Sequence, residues 1–203
     1  MSATEDVEFR PTFGRGLTVA VGVLCAATLV VTAWGDVWSG VRLAPLLALV
    51  TVTVWALFGR PAVVVSPSGV ELRNVLRTVE LPWPSIELID TKYALTLHTA
   101  YGVYAAWAAP APSRSQAQSA APGDAAHRYA AGGGAGGVRP GDLAGTPSGE
   151  AAALVRSRWE ELRDAGHLDT PQLERPRPRV RWHTATLATL VVLAALSALA
   201  LRA

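Results

Sequence analysis

The sequence has few of the residues from which catalytic and metal centres are usually built. Its single cysteine, Cys25, excludes an intrachain disulfide. The histidines fall in unrelated stretches and show no metal-ligand spacing; they are His98, His127, His167 and His183. A Gly-x-Ser-x-Gly elbow, a Walker sequence and a carboxylate pair in a plausible cleft are missing as well. We therefore predict that the protein is not an enzyme and has no catalytic, metal-binding or cofactor-binding residue and no cofactor.

Lysine is almost missing too, since Lys92 is the only one among the 18 basic residues. The formal net charge is only +2. A nucleic-acid-binding domain would be expected to show a basic stripe with interleaved aromatic residues, and none is visible. A nominal Gly-x-Gly-x-x-Gly occurs at Gly132, Gly134 and Gly137, but no strand precedes it and no helix follows it directly. The sequence therefore predicts no nucleic-acid partner and no nucleotide site.

Charge is absent from three long apolar windows, at residues 16–35, 43–59 and 182–201. A helix rises about 1.5 Å per residue, so windows of this length can cross a hydrocarbon core of roughly 30 Å. We predict three transmembrane helices, the first two forming a hairpin through a turn at 36–42. Acidic and basic residues are missing at mid-depth, which disfavours a transporter or a proton relay.

The arginines near these windows predict the orientation. Seven lie before the first window, after the second or before the third, and only Arg42 and Arg202 flank the opposite ends; the seven are Arg10, Arg15, Arg60, Arg175, Arg177, Arg179 and Arg181. With three spans these positions share one side, and an excess of arginine marks the cytoplasmic side. We therefore expect a multi-pass protein of the cell membrane with residues 60–181 in the cytoplasm. Residues 1–15 are expected to be an N-terminal tail that is not a cleaved signal peptide.

Residues 60–110 have the pattern of a small β domain. The run Ala62–Val65 is closed by the turn residues Ser66–Gly69. An alternation follows, in which one set of side chains is apolar and the other polar. The apolar set is Val70, Leu72, Val79 and Leu81, and the polar set is Glu71, Arg73, Thr78 and Glu80. Three more short strands are predicted at 86–89, 94–98 and 103–107, around a core that contains Trp83, Ile86 and Trp107.

The stretch 111–149 consists mostly of Ala, Gly, Pro and Ser. Because such a segment cannot bury enough apolar surface to offset its conformational entropy, we predict a disordered linker.

An amphipathic helix is predicted at 150–166, with its apolar residues at helical spacing. Ser148 is expected to cap its start and Gly166 its end, and Arg156 can pair with Glu160. Its apolar face needs a partner, either the β domain or the membrane surface. A basic linker rich in Pro and Arg, residues 167–181, then leads to the third span.

Several segments of the chain resemble one protein family. Segments 60–65, 69–74, 77–83 and 104–108 resemble the bacterial PH-like domain of actinobacterial membrane proteins, a group that includes low molecular weight protein antigen 6. Its members have an N-terminal membrane hairpin before the domain, and longer ones end in a span introduced by Arg-x-Arg-Trp, here Arg179 to Trp182. The resemblance implies a PH-like β domain, either a partial barrel or a sheet with a C-terminal helix. The strand segment is short for seven strands, so closure by the 150–166 helix or by the hairpin is expected.

Two functions are compatible with this pattern. The first is a non-catalytic, membrane-anchored PH-like binding or scaffolding module, whose partners are membrane lipids and another protein. The alternative is a module that binds lipid headgroups on the inner leaflet. Phosphate recognition needs several basic side chains around the first strand-to-strand loop, and Ser66–Gly69 has none, with only Arg73 and Arg77 nearby. This favours the protein partner.

Overall fold

The computed structural model describes residues 6–112, 140–143, 145–168 and 176–202. The chain divides into two compact units. Among the described residues, the β domain comprises 6–10, 62–74, 78–112, 140–143, 145–168 and 176–181, and the helical unit comprises 11–61, 75–77 and 182–202.

The described secondary structure consists of eight strands and four α-helices. The strands are β1 (Val7–Phe9), β2 (Ala62–Ser66), β3 (Gly69–Arg73), β4 (Arg77–Pro82), β5 (Ile86–Asp90), β6 (Ala94–Thr99), β7 (Gly102–Pro110) and β8 (Arg179–Trp182). The helices are α1 (Thr12–Gly35), α2 (Val37–Val54), α3 (Pro147–Asp164) and α4 (Thr184–Ala200). A π-helical turn, Trp55–Gly59, continues α2, and short 3-10 turns cover Trp83–Ser85 and Pro140–Asp142.

In the helical unit α2 packs against both α1 and α4. Helix α1 and the continuous helix Val37–Gly59 have 24 and 23 residues and are apolar enough to cross a membrane. Helix α4 is also apolar but has only 17 residues. Two of the three predicted spans therefore have the required length, and the third is shorter than expected.

The predicted turn at 36–42 is wrong, because α2 begins at Val37 and Asp36 alone separates it from α1. Asp36 is the N-cap of α2, and its carboxylate accepts hydrogen bonds from the backbone N–H groups of Trp38 and Ser39. The Ser39 hydroxyl donates to the same carboxylate, and this bond, with the two amide bonds, lowers the pKa of Asp36. A good capping residue lets the second helix start six positions before the apolar window.

The β domain contains two antiparallel sheets. One has the strand order β1-β2-β3-β4-β8 and the other β5-β6-β7. The apolar alternation of β3 and β4 is confirmed, because all four predicted side chains are buried in the core. Thr78, which the alternation placed with the polar set, is buried as well. The rest of the core comes from β2, β6, β7, one face of α3, and Trp83 and Ile86, the latter in β5, both of which the sequence also predicted to be buried.

The two predicted core tryptophans differ. Trp83 is 3% exposed, and its indole Nε1 donates a 3.0 Å hydrogen bond to the Ser66 carbonyl oxygen. Trp107 is 55% exposed, so its assignment to the core is wrong. In β7 the buried residues are Ala106, Ala108 and Ala109, and the first two have the opposite parity to Trp107. Strand β7 is apolar on both faces, so its sequence does not show which face is inward, and a one-residue shift exchanges the faces.

Two segments expected to lie outside the domain contribute strands to it. Strand β1, inside the predicted tail 1–15, pairs antiparallel with β2, and Phe9 packs against the core. Strand β8, inside the predicted linker 167–181, is the neighbour of β4. In strands of three and four residues an alternation cannot be told from chance, which is why the sequence did not predict them.

The predicted disordered linker at 111–149 is too long at its C-terminal end. Leu143 is buried, and Gly141 lies so close to the Thr91 carbonyl oxygen that a side chain could not fit. The Thr91 hydroxyl donates a 2.7 Å hydrogen bond to Asp142 Oδ1, which also receives one of 2.7 Å from Arg156 Nη1. Residues 140–143 therefore belong to the folded domain. Residues 113–139, which include the nominal glycine motif, lie outside the described part of the chain.

Helix α3 starts three residues before its predicted position. The Thr146 hydroxyl, not that of Ser148, accepts the capping hydrogen bond from the Gly149 N–H. The predicted pair of Arg156 with Glu160 is also replaced, since Arg156 binds Asp142. Gly166, with φ of +71°, follows the helix end as expected. Ala151, Ala152 and Val155 enter the core and Trp159 packs against it, so the partner of the apolar face is the β domain.

The contrast between the two tryptophans gives the first prediction. Trp83→Ala should lower the free energy of unfolding of the β domain by about 3–5 kcal/mol, because it creates a cavity and removes a buried side chain. Trp107→Ala should change it by less than about 1 kcal/mol. Pulse proteolysis of the full-length protein in detergent over a urea series measures both. Equal losses for the two variants would contradict the assigned face of β7.

The contact of residues 140–143 with the domain gives a second prediction. Asp142→Ala should destabilise the domain by about 1–2 kcal/mol, because it removes two hydrogen bonds, one of them charged, at a partly exposed position. Asp142→Asn keeps an acceptor oxygen and should cost less. The same urea series compares them, and an Asp142→Ala variant as stable as the parent would mean that this segment is not anchored.

Candidate functional site

A groove of about 340 Å³ lies at the end of the first sheet where β2 turns into β3. The turn forms one wall, the outer side of β3 and β4 the floor, and the segment that enters β8 the other wall. Its lining residues are Ser66, Ser68, Gly69, Val70, Glu71, Glu80, Leu81, Pro82, Pro176, Arg177 and Arg179.

The turn is held by hydrogen bonds within itself. The Ser66 hydroxyl donates to the Gly69 carbonyl oxygen at 2.9 Å and lies 3.0 Å from the Ser68 hydroxyl. Gly69 lies against the carbonyl of Leu81, where any side chain would collide. The Trp83 indole N–H also holds the turn in place by donating a hydrogen bond to the Ser66 carbonyl oxygen. This wall of the groove is therefore preformed, and a ligand would not have to order it.

The carboxylates of the groove are already paired. Glu71 and Glu80 lie directly opposite each other on β3 and β4. Glu80 Oε1 is 2.6 Å from Arg181 Nη2, and Glu71 Oε1 is 3.0 Å from Arg73 Nε. The hydrogen bond from Arg73 to Glu71 raises the pKa of the Arg73 guanidinium, which stays charged at every physiological pH. The acidic floor is thus neutralised by arginines of the domain.

Two other arginines leave positive charge at the rim. Arg177 and Arg179 are exposed. The Arg177 guanidinium lies 5.5 Å from the centre of the Tyr101 ring, which keeps its charge and its donors available. Arg179 makes no ion pair with any residue of the described ranges. The groove as a whole is therefore suited to an extended ligand that carries an anionic group, since guanidinium groups bind carboxylates and phosphates strongly.

The sequence does not predict this site, because its arginines come from a distant part of the chain. Along the sequence, the cations near Ser66–Gly69 are Arg73 and Arg77. Arg73 is engaged with Glu8 and Glu71, and the Arg77 guanidinium lies 5.6 Å from the Trp182 ring. The structure brings in Arg177 and Arg179 instead. Alternation over Arg179–Trp182 was the only local sign of a strand there.

The chemistry of the lining is that of recognition. Its serine hydroxyls have no histidine or cysteine beside them in the groove, and its carboxylates are ion-paired. Over the described residues, no group of His, Cys, Asp and Glu side chains could hold a metal ion. The groove can therefore bind a ligand through hydrogen bonds, apolar contacts and charge.

Comparison with known proteins gives a match in the central segment of the chain. Residues 60–132 match the family model described as bacterial PH domain. This range contains β2–β7, which build most of the core, while β1, α3 and β8 fall outside it. Searches of the curated proteins and of the solved structures found no match. The match covers about a third of the chain and supports a PH-like β domain in this segment.

Proposed function

We propose that this protein is a membrane-anchored, non-catalytic PH-like binding module whose groove receives a segment of another protein. The observation that carries the proposal is the groove itself, with a preformed turn on one side and two exposed arginines on the other. PH domains are in general binding modules without catalytic activity. The order of hairpin, PH-like domain and last span also supports membership of the actinobacterial group that includes low molecular weight protein antigen 6.

Three transmembrane helices anchor the module. Helix α4, with 17 residues, is about 26 Å long. Trp182 before it and Leu201 after it extend its apolar length toward that of a full span. Strands β1, β2 and β8 join α1, the end of α2 and α4 through two, two and one intervening residues, so the domain is attached to the membrane at three points of the chain.

The mixed chemistry of the groove favours a protein partner. Its lining combines serine hydroxyls, apolar residues such as Pro82 and Pro176, and two exposed arginines. An extended peptide segment can use all three kinds of contact, whereas a lipid headgroup would use chiefly the arginines.

Binding of a lipid headgroup on the inner leaflet is the second candidate. The observation in its favour is the presence of Arg177 and Arg179 at the turn, because two guanidinium groups can bind a phosphate. Because Arg73 and Arg181 are engaged with Glu71 and Glu80, only Arg177 and Arg179 of the described groove are left for a multiply charged headgroup, which needs several basic side chains.

The partner class can be tested by photo-crosslinking in cells. With p-benzoylphenylalanine in place of Ser68, we expect a protein adduct of one defined mass. Arg179→Ala should reduce it at least several-fold, whereas Arg163→Ala, which removes an arginine from α3, should not. The probe at Tyr93, an exposed position on the β5–β6 turn, serves as the control for random collisions. Adducts with lipid only would favour the second candidate. An adduct yield that is the same in the Arg179→Ala variant as in the parent would contradict a site in the groove.

The cytoplasmic orientation can be tested with the same protein. After Cys25→Ala, single cysteines are introduced at Ser68 and at Val37, both exposed. A membrane-impermeant maleimide should label the Val37→Cys variant in intact cells and the Ser68→Cys variant only after permeabilisation, because arginine-rich flanks are retained on the cytoplasmic side. The reverse labelling pattern would overturn the orientation.

A further inference from the structure

The outer face of the first sheet carries a continuous series of ion pairs, which we call the charge ladder. It consists of Arg10, Glu8, Arg73, Glu71, Arg181 and Glu80. Glu8 Oε1 lies 2.7 Å from Arg10 Nε and 3.0 Å from Arg73 Nη1. Arg73 Nε then lies 3.0 Å from Glu71 Oε1. Arg181 Nη2 completes the series at 4.0 Å from Glu71 Oε1 and 2.6 Å from Glu80 Oε1.

The ladder follows one row of the sheet. Glu8 is paired in register with Val64, Val64 with Glu71, and Glu71 with Glu80. The three carboxylates thus lie on β1, β3 and β4, and Arg181, which pairs with two of them, lies on β8. The ladder therefore joins both edge strands of the sheet, which come from opposite ends of the chain.

Strand β8 has few other side-chain contacts that could hold it. All four of its residues are exposed, and none belongs to the buried core. Strand β1 contributes Phe9 to the core, while Val7 and Glu8 are exposed. A single exposed ion pair contributes little to stability, but charges that share partners in a network contribute more. Apart from backbone pairing, β8 is tied to the rest of the sheet by Arg181, through Glu71 and Glu80, and by the contact of the Trp182 ring with Arg77.

We propose that the charge ladder makes the docking of β1 and β8 interdependent. When Arg181 leaves with β8, Glu71 and Glu80 remain directly opposite each other, and like charges in that arrangement repel. Arg73 is then the guanidinium left beside Glu71, and the two carboxylates draw it away from Glu8. Glu8 thereby loses its link to β3, so release of β8 weakens the docking of β1.

The consequence concerns the binding groove, and this part rests on the proposed function. Pro176, Arg177 and Arg179 form one wall of the groove, and this wall is in place only while β8 is docked. Strand β8 continues into α4 after one residue, and β1 into α1 after two. A displacement of α4 or α1 that pulls on its strand should therefore change the docking of β8 and with it the affinity of the groove for a partner. By thermodynamic linkage, a bound partner should stabilise the docked positions of both strands.

Hydrogen exchange of the full-length protein in lipid nanodiscs, without any partner, tests the interdependence. Arg181→Gln should accelerate amide exchange about threefold in residues 6–10, which it does not contact, as well as in 177–180. Arg179→Gln removes the same charge from the same strand but no ladder contact, and it should leave residues 6–10 unchanged. Unchanged exchange in residues 94–99 shows that the core is intact.

A second variant separates the ladder from a general weakening of β8. Adding Glu80→Gln to Arg181→Gln removes the stranded carboxylate, and exchange in residues 6–10 should return to within about 1.5-fold of the parent, as expected for coupled residues. Acceleration confined to 177–180, or no restoration by Glu80→Gln, would overturn the proposal. If Ser68 yields no protein adduct while residues 6–10 still respond to Arg181, the proposed function fails and the interdependence stands.

Discussion

The inner face of β2–β4 has to be buried, and most of the structure follows from this requirement. Val63, Leu72, Val79 and Leu81 are almost fully removed from solvent against β6, β7 and α3. Burial of each such side chain contributes about 1.5–3 kcal/mol. Since a strand alternates, the same register turns Glu71, Arg73 and Glu80 to the outer face. The ion pairs and the floor of the groove are thus consequences of how the core is packed.

The domain is assembled from four separate stretches of the described chain, which contain β1, β2–β7, α3 and β8. The match to the bacterial PH domain covers β2–β7, but both edge strands lie outside it, beyond α1 and α2 on one side and just before α4 on the other. Helix α3 adds three residues to the core from a further stretch. Such an arrangement needs contacts between residues that are far apart in sequence, and these form late and slowly. Residues 60–132 alone would lack both edge strands of the first sheet and the helix that covers the core.

The chemistry of the outer face supports recognition. Its carboxylates form ion pairs with arginines of the same sheet. The exposed guanidinium groups of Arg177 and Arg179 lie at the rim of the groove, where they can contact a ligand. Arginine suits this role because its planar donors bind carboxylates and phosphates in pairs and stay charged. In the function we propose, attachment to membrane helices would hold this binding site at the membrane, as a scaffolding module requires.

Local patterns in the sequence determined the apolar helices, the alternation of β3 and β4, the burial of Trp83 and the end of α3 at Gly166. Each depends on residues a few positions apart, so it can be read without knowing the fold. The tertiary structure decided the inward face of β7, the place of β1 and β8 in the sheet, the cap of α3 at Thr146 and the arginines of the groove. An apolar strand has no preferred face until a core covers one side, and a short edge strand is stable only once a neighbour exists. Arg177 and Ser66 share a groove because β8 pairs with β4, and no local pattern in a chain encodes a pairing between segments about one hundred residues apart.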